Sequence, residues 1–560
     1  MTRARWGALA VLVVAATLGC TSALAQEDDL RSALVVLVPG ASFEELMAIP
    51  DVSALARAGG GGLLVNPDDV VELEDPFVPG VTRTISDPGD LADPGDLLTL
   101  AERHLPFVQR DADLMVIVLG ADPEPPADAG GIVVAEGPPE ELFPDGGIQG
   151  SLTSDSTRRD GVVNGGDVRA TLVDYLGRAP LVSGEVLAGE PIEIIEGPPP
   201  FELHERYLAQ RRMYVPVGTA GAIYFVLGGV GAIAVLALGD RVPNRIRRIL
   251  GWWSLSVPML AVGMLAVGHL PELSYATAVP MIAIVTVFGT MAFSPLERRD
   301  VALVPVGIGL AALAYFLLEA ILGWSGMLTP LLGGSQLDGG RFYGLPNVAI
   351  GVLIGSGLWV AHRLRTAHGF VLLCGLGLFA GVPYLGTNLG GGVSLFAAAG
   401  LWLAVRERHR LGVWKGLGAF VGVALLGTAV ILLAHAISPL ETHVSRFEED
   451  ASGLAGVVER VEDRLQVGFD LIARNPFALI PVVGLPIAIA SVLRPPAQLR
   501  PSLERDPAWR DAILVTLLAG VVAYVANDSG PAAAGFAFGM GLGGLLGVSL
   551  LLGAEKMVNR

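Results

Sequence analysis

From about residue 214 the sequence runs in apolar blocks of about 15 to 25 residues joined by short connectors, and this feature constrains the fold most. A block of that length crosses the hydrocarbon of a bilayer as a helix, which pairs its own backbone polar groups. With 52% hydrophobic and 16% charged residues over 560 positions, the chain is too apolar for a soluble protein and too long for one domain. Residues 26–213 are different in kind: rich in Asp, Glu, Pro and Gly, and without a single Lys. The division expected is therefore a signal peptide over 1–25, an acidic domain over 26–213 and a polytopic bundle over 214–560.

Arg3 and Arg5 form the charged start of the signal, residues 7–18 its apolar stretch, and Ala23-Leu24-Ala25 a cleavage site before Gln26. Cys20 leaves a lipoprotein alternative open, although Thr17 stands where Leu is usual. Cys374 is the only other cysteine and lies in an apolar block, so no disulfide framework can form. The formal charge of −18 comes mostly from the acidic domain, a surface that repels nucleic acid and anionic lipid headgroups.

If that domain is exported, the first span, 214–238, runs from outside to inside. Further spans are expected near 249–269, 275–293, 301–321, 346–361, 369–385, 392–405, 416–437, 476–493, 512–526 and 533–553, about eleven in all, which leaves the C-terminus inside. The alternate connectors hold Arg241, Arg245, Arg247 and Arg248, then Arg298 and Arg299, Arg363 and Arg365, Arg406 to Lys415, and Arg494 to Arg510, in agreement with the positive-inside rule. The preference for Arg over Lys and the Ala and Gly content are those of a GC-rich bacterium, which places the chain in a cytoplasmic membrane.

Polar groups at membrane depth persist where they pair, face a cavity or do chemistry. Four polar motifs fall at outer span ends, whereas the inner connectors read as plain Arg-rich links. Asp338 to Asn347 contains Arg341, a fork suited to phosphate or carboxylate, with Tyr343 and with Asn347, which could equally cap the next helix. Residues 381–392 form a Gly-rich turn around Asn388, either an anion cradle or simply a tight turn. His443 and Arg446 lie in the long outer loop, where His443 is an acid–base candidate or a surface residue. Asn527, Asp528 and Ser529 lie between the last two spans, where they either contribute to a site or cap the final helix. With Glu319, these residues define an expected outward-facing polar cavity for an anionic headgroup or sugar phosphate, with no metal or cofactor.

The acidic domain alternates β-like runs, 33–38 and 114–119, with helical stretches, 53–58 and 97–104, which predicts an α/β domain with a parallel-type sheet. Residues 34–40 and 50–59, together with 154–163 and 167–177, resemble the first strand and helix and the closing segment of the alkaline phosphatase and sulfatase superfamily. The resemblance implies a truncated, alkaline-phosphatase-like fold. The family's metal-binding Asp is replaced by Pro39, its Asp-His-Gly signature would fall near Leu119-Gly120-Ala121, and His104 and His204 are too few for a two-metal site. A catalytically degenerate, metal-free module that binds or scaffolds is what these departures imply. Gly340-Arg341-Phe342-Tyr343-Gly344 with Asn347 also resembles a stretch of O-antigen ligases and polymerases. The functional expectation is an envelope protein handling a lipid-linked or anionic glycan or lipid at the outer leaflet; the alternatives are a small-solute transporter and a non-enzymatic scaffold. Membrane lipids are expected partners and nucleic acid is not.

Overall fold

The computed structural model describes strands, helices and short segments between residues 32 and 200, and residues 201–332, 343–383, 385–438, 479–527 and 530–558. The signal segment, Cys20 and His104 lie outside the described residues. The chain forms two compact units, divided near Phe201.

In the N-terminal unit, eight strands make one sheet: β1 (Ser32–Pro39), β2 (Gly60–Val65), β3 (Val81–Ile85), β4 (Leu114–Ala121), β5 (Gly130–Gly137), β6 (Gly150–Ser154), β7 (Val162–Asn164) and β8 (Ile192–Glu196). Their order is β3-β1-β4-β5-β2-β6-β8, with β7 paired to β2. The sheet is mixed, a correction to the parallel type expected: β1 runs parallel to β3 and β4, but β5 is antiparallel to both β4 and β2, and β8 to β6. Only two helices are described beside these strands, α1 (Phe43–Ala48) and α2 (Gly165–Leu176), so the described residues do not show regular strand–helix alternation.

Ala33 and Val35, Met115 and Ile117, and Ile132 and Val134 point to one face, as the two-residue period of a strand requires, and meet Val168, Leu172 and Tyr175 of α2. The first turn of α2 is locked by Asp167. Its carboxylate accepts hydrogen bonds from the Asn164 amide (2.8 Å), the Ser154 hydroxyl (2.6 Å) and the Glu190 amide (3.1 Å). Asp167 occupies the third helical position and reaches back to the capping residue, an arrangement that removes an otherwise orphaned donor. Pro39 and Leu119 to Ala121 are strand residues, Pro39 opposite Ala121.

The C-terminal unit is helical. Its long elements are α3 (Phe201–Leu238), α4 (Asn244–Leu255), α5 (Val257–Ala266), α6 (Tyr275–Met291), α7 (Leu303–Ile321), α8 (Asn347–Ala361), α9 (Thr366–Gly381), α10 (Leu389–Arg406), α11 (Arg408–Ala436), α12 (Leu479–Leu493), α13 (Pro507–Ala526) and α14 (Gly530–Val558). Among the described residues seven helices are long and apolar enough to cross a membrane, or eight if the α4–α5 pair, bent by 49°, is one broken span; α8 and α9 are shorter apolar helices. The chain is thus a multi-pass helical membrane protein in outline. The expected first span, 214–238, lies within the longer helix α3, which starts at Phe201.

The centre of the bundle is α8, of which every residue from Val348 to Ala361 is buried. Close approach around it depends on small residues, since lipid supplies no hydrophobic drive between helices. A Cβ at Gly351 would sit 2.2 Å from the Ala533 carbonyl of α14, and one at Gly543 would sit 2.4 Å from the Ser254 carbonyl of α4. At the periphery, Phe288, Ile321, Leu425 and Leu426 are exposed, as lipid-facing residues are.

Candidate functional site

Side-chain contacts divide the polar residues of the helical unit between its two ends. One end collects the start of α8, the α9–α10 turn, the ends of α11 and α13, and the start of α14. Here Asn388, 1% exposed, is the hub. Its Oδ1 accepts from the Gly391 amide (2.7 Å), capping α10, and its Nδ2 donates to the Leu345 carbonyl and to Asn347 Oδ1, both at 2.9 Å. The Leu345 amide returns a bond to the Gly386 carbonyl (2.8 Å). Gly344 has φ +86, and a Cβ there would lie 2.3 Å from the Gly386 carbonyl, so both its conformation and its packing call for glycine.

Other motif ends join the same region. Asn527 donates to the Ala523 carbonyl (2.9 Å) and reaches Ser394 Oγ of α10 (3.3 Å), while its own Oδ1 is buried without a partner among the described residues. His435, near the end of α11, bonds the Gly381 carbonyl through Nε2 (2.9 Å). Trp324 donates from its indole to the Leu385 carbonyl (2.7 Å). The described residues of three of the four polar motifs singled out in the sequence, Asn347, Asn388 and Asn527, are therefore anchored at one end of the bundle. Asn347 and Asn388 touch; Asn527 reaches the same helix through Ser394; Tyr343 is half-buried in the strand of chain before α8. Arg341, His443, Arg446, Asp528 and Ser529 lie outside the described residues. The contacts of Asn388 hold helix ends together and cap α10.

Glu319 is not tied into the Asn388 hub by its carboxyl. That group is 1% exposed near the end of α7, and its Oε1 lies 2.5 Å from Nε2 of His269, whose side chain is 34% exposed at the end of the helical turn Val267–His269. Oε2 is buried without a hydrogen-bond partner among the described residues. The Tyr315 hydroxyl, one turn earlier on α7, faces the carboxyl, and Arg206 of α3 donates to the Gly268 carbonyl beside His269. His269 and Arg206 were not among the expected site residues.

The opposite end is far more organised than the plain connectors expected from the sequence. Arg363 donates to Asp300 (2.6 Å) and to Asp506 (3.5 Å), and Asp506 caps α13 by accepting from the Trp509 amide (3.0 Å). Buried Asp511 receives Arg408 (2.9 Å) and Arg406 (3.3 Å). His362 is buried with Nδ1 on the Trp359 carbonyl (2.6 Å), and its Nε2 is 3.8 Å from Asp506, too far for a hydrogen bond. Burial pushes its pKa down to about 4, against the opposing pull of Asp506. Asp300, His362, Arg363, Ser502, Arg505 and Asp506 border a cleft of about 410 Å³. The cations there already face carboxylates, so the cleft is an ion-paired joint between connectors.

No family model, curated protein or solved structure matches this chain. What fold and geometry define is a class: a multi-pass helical membrane protein with a polar cluster at each end of its bundle and an N-terminal sheet unit.

Proposed function

We propose that this is an envelope protein of a bacterial cytoplasmic membrane that engages a lipid-linked or anionic glycan, or a related lipid, at the outer leaflet. Eleven crossings, from α3 to α14 with α4 and α5 forming one broken span, leave the N-terminal unit and the Asn388 end outside and the C-terminus in the cytoplasm. Most Arg-bearing connectors fall at the other end, in keeping with positive charge retained inside, the exceptions being Arg341 and the long outer segment 438–475 with Arg446, Arg460, Arg464 and Arg474. The N-terminal unit, read as a metal-free phosphatase-like module, binds or scaffolds.

The observation that carries this reading is the Asn388 hub. It ties the segment ending in Asn347 to the α9–α10 turn, and Asn527 ties the last interhelical turn to α10, so the residues flanking Arg341 and Asp528 belong to one end of the bundle. A phosphate is a ligand suited to the guanidinium fork of an arginine such as Arg341. The test is binding of a polyisoprenyl-phosphate sugar to the purified protein in lipid nanodiscs, compared with a neutral isoprenoid alcohol. Saturable binding of the phosphate form that weakens at least about tenfold in Arg341→Ala supports the reading; equal binding of both lipids, or none, contradicts it. The second reading, a small-solute transporter, is favoured by one specific observation, the buried Glu319 carboxyl paired to a half-open histidine.

A further inference from the structure

A carboxylate in an apolar helix is costly, and natural chains keep one where it pairs or works. Glu319 has only part of the pairing it needs. One oxygen meets His269 at 2.5 Å, the other has no donor within hydrogen-bond distance among the described residues, and the group is 1% exposed. A fixed structural ion pair would be expected to satisfy all the lone pairs of so deeply buried an acid, because an unsatisfied buried charge is among the costliest features a fold can carry. The histidine differs in one decisive respect: about a third of its side chain is open. It therefore spans the route between solvent and the buried carboxyl.

The surroundings are set up around this pair. A Cβ at Gly326 would lie 2.4 Å from His269 Nε2 and 2.7 Å from Glu319 Oε1, so the turn Ser325–Met327 closes over the contact with bare backbone. Trp324 returns its amide to the Glu319 carbonyl at 2.8 Å, fixing the end of α7. Among the described residues the charged and titratable groups nearby are few: Arg206 from α3, held on the Gly268 carbonyl with Glu202 of the same helix acting on its charge; Tyr315 from α7, facing the carboxyl; and Glu272, exposed beyond the turn. The turn Ser325–Met327 contributes none, nor does the apolar α5.

We propose that Glu319 and His269 form a proton-exchange site, in which His269 passes protons between solvent and the buried carboxyl. With one proton the pair is either carboxylate and imidazolium or carboxylic acid and imidazole; a second proton, entering through the imidazole, neutralises the acid. The oxygen not engaged by His269, Oε2, is where that proton resides. This goes beyond the substrate reading and does not depend on it, since proton uptake is measured with no substrate present.

The experiment is pH-difference infrared spectroscopy of the full-length protein in lipid bilayers, over about pH 4 to about pH 9, the range that brackets ordinary carboxyl and imidazole titration. A carboxylic-acid band should grow as the pH falls, be missing in Glu319→Gln, and shift its midpoint by about one pH unit or more in His269→Gln, where the ion-pair partner is gone. If Glu319→Gln does not fold, His269→Gln decides, because it leaves the carboxyl in place. Difference spectra identical between wild type and Glu319→Gln, or no carboxyl band whose midpoint moves in folded His269→Gln, would overturn the proposal.

Discussion

At the scale of the residue, three groups bear most of the consequences. Asn388 uses both ends of its amide, and Asn388→Ala would strand the Gly391 amide and the Leu345 carbonyl in a buried setting. A loss of about 2 to 4 kcal/mol is expected from two such groups, measured as denaturant unfolding of the protein in mixed micelles, whereas Asn388→Asp would keep the cap alone and lose less. His362 is the second. Its folded pKa, about 4, lies below the usual histidine value of 6.5, so the neutral imidazole favours the fold. That stability is fully present above about pH 6.5 and is lost as pH falls towards about 4, up to about 3 kcal/mol. The thermal midpoint should fall across that window in wild type and fall less in His362→Gln. Glu319 is the third, and its pairing shows what the sequence could and could not give. A lone Glu in an apolar block is conspicuous, but a His fifty positions earlier at the end of a bent helix is not, because nothing local marks the two as neighbours.

At the scale of the element, legibility followed locality. The Gly-rich turn around Asn388 stands beside the helix it begins, so it could be read directly as a turn; the mixed sheet could not, because β5 inserts antiparallel between β4 and β2, whose positions in the chain lie far apart. The helix that carries the first span starts earlier than the span, and its first turns are polar, with Arg206 and Gln210 turned to carbonyl partners rather than to lipid. The opposite-end network escaped notice because its acids, Asp300, Asp506 and Asp511, occur singly among arginines and pair only after folding. Helix contacts give a sharper prediction. In α14, Gly543→Val pushes side-chain atoms onto the Ser254 carbonyl and should cost about 1 to 3 kcal/mol through overpacking. Gly535→Ala on the same helix meets nothing within 4 Å and should be neutral or slightly stabilising. Unfolding of both variants in the same detergent checks the contrast.

At the scale of the whole molecule, the described helices form a layered bundle in which α8 is enclosed and α3, α6 and α11 face lipid, with polar clusters segregated to the two ends. The functional reading depends on which end faces out. Native cysteines number only two, Cys20 and Cys374, so single-cysteine variants in a background lacking both are practical. Labelling with a membrane-impermeant maleimide in intact cells, with lysed cells as the reference, is the direct measurement. Asp528→Cys at the Asn388 end should label in intact cells, and Glu504→Cys at the Arg-rich end only after lysis. Labelling of Glu504→Cys in intact cells with Asp528→Cys protected would invert the bundle and contradict an outer-leaflet site.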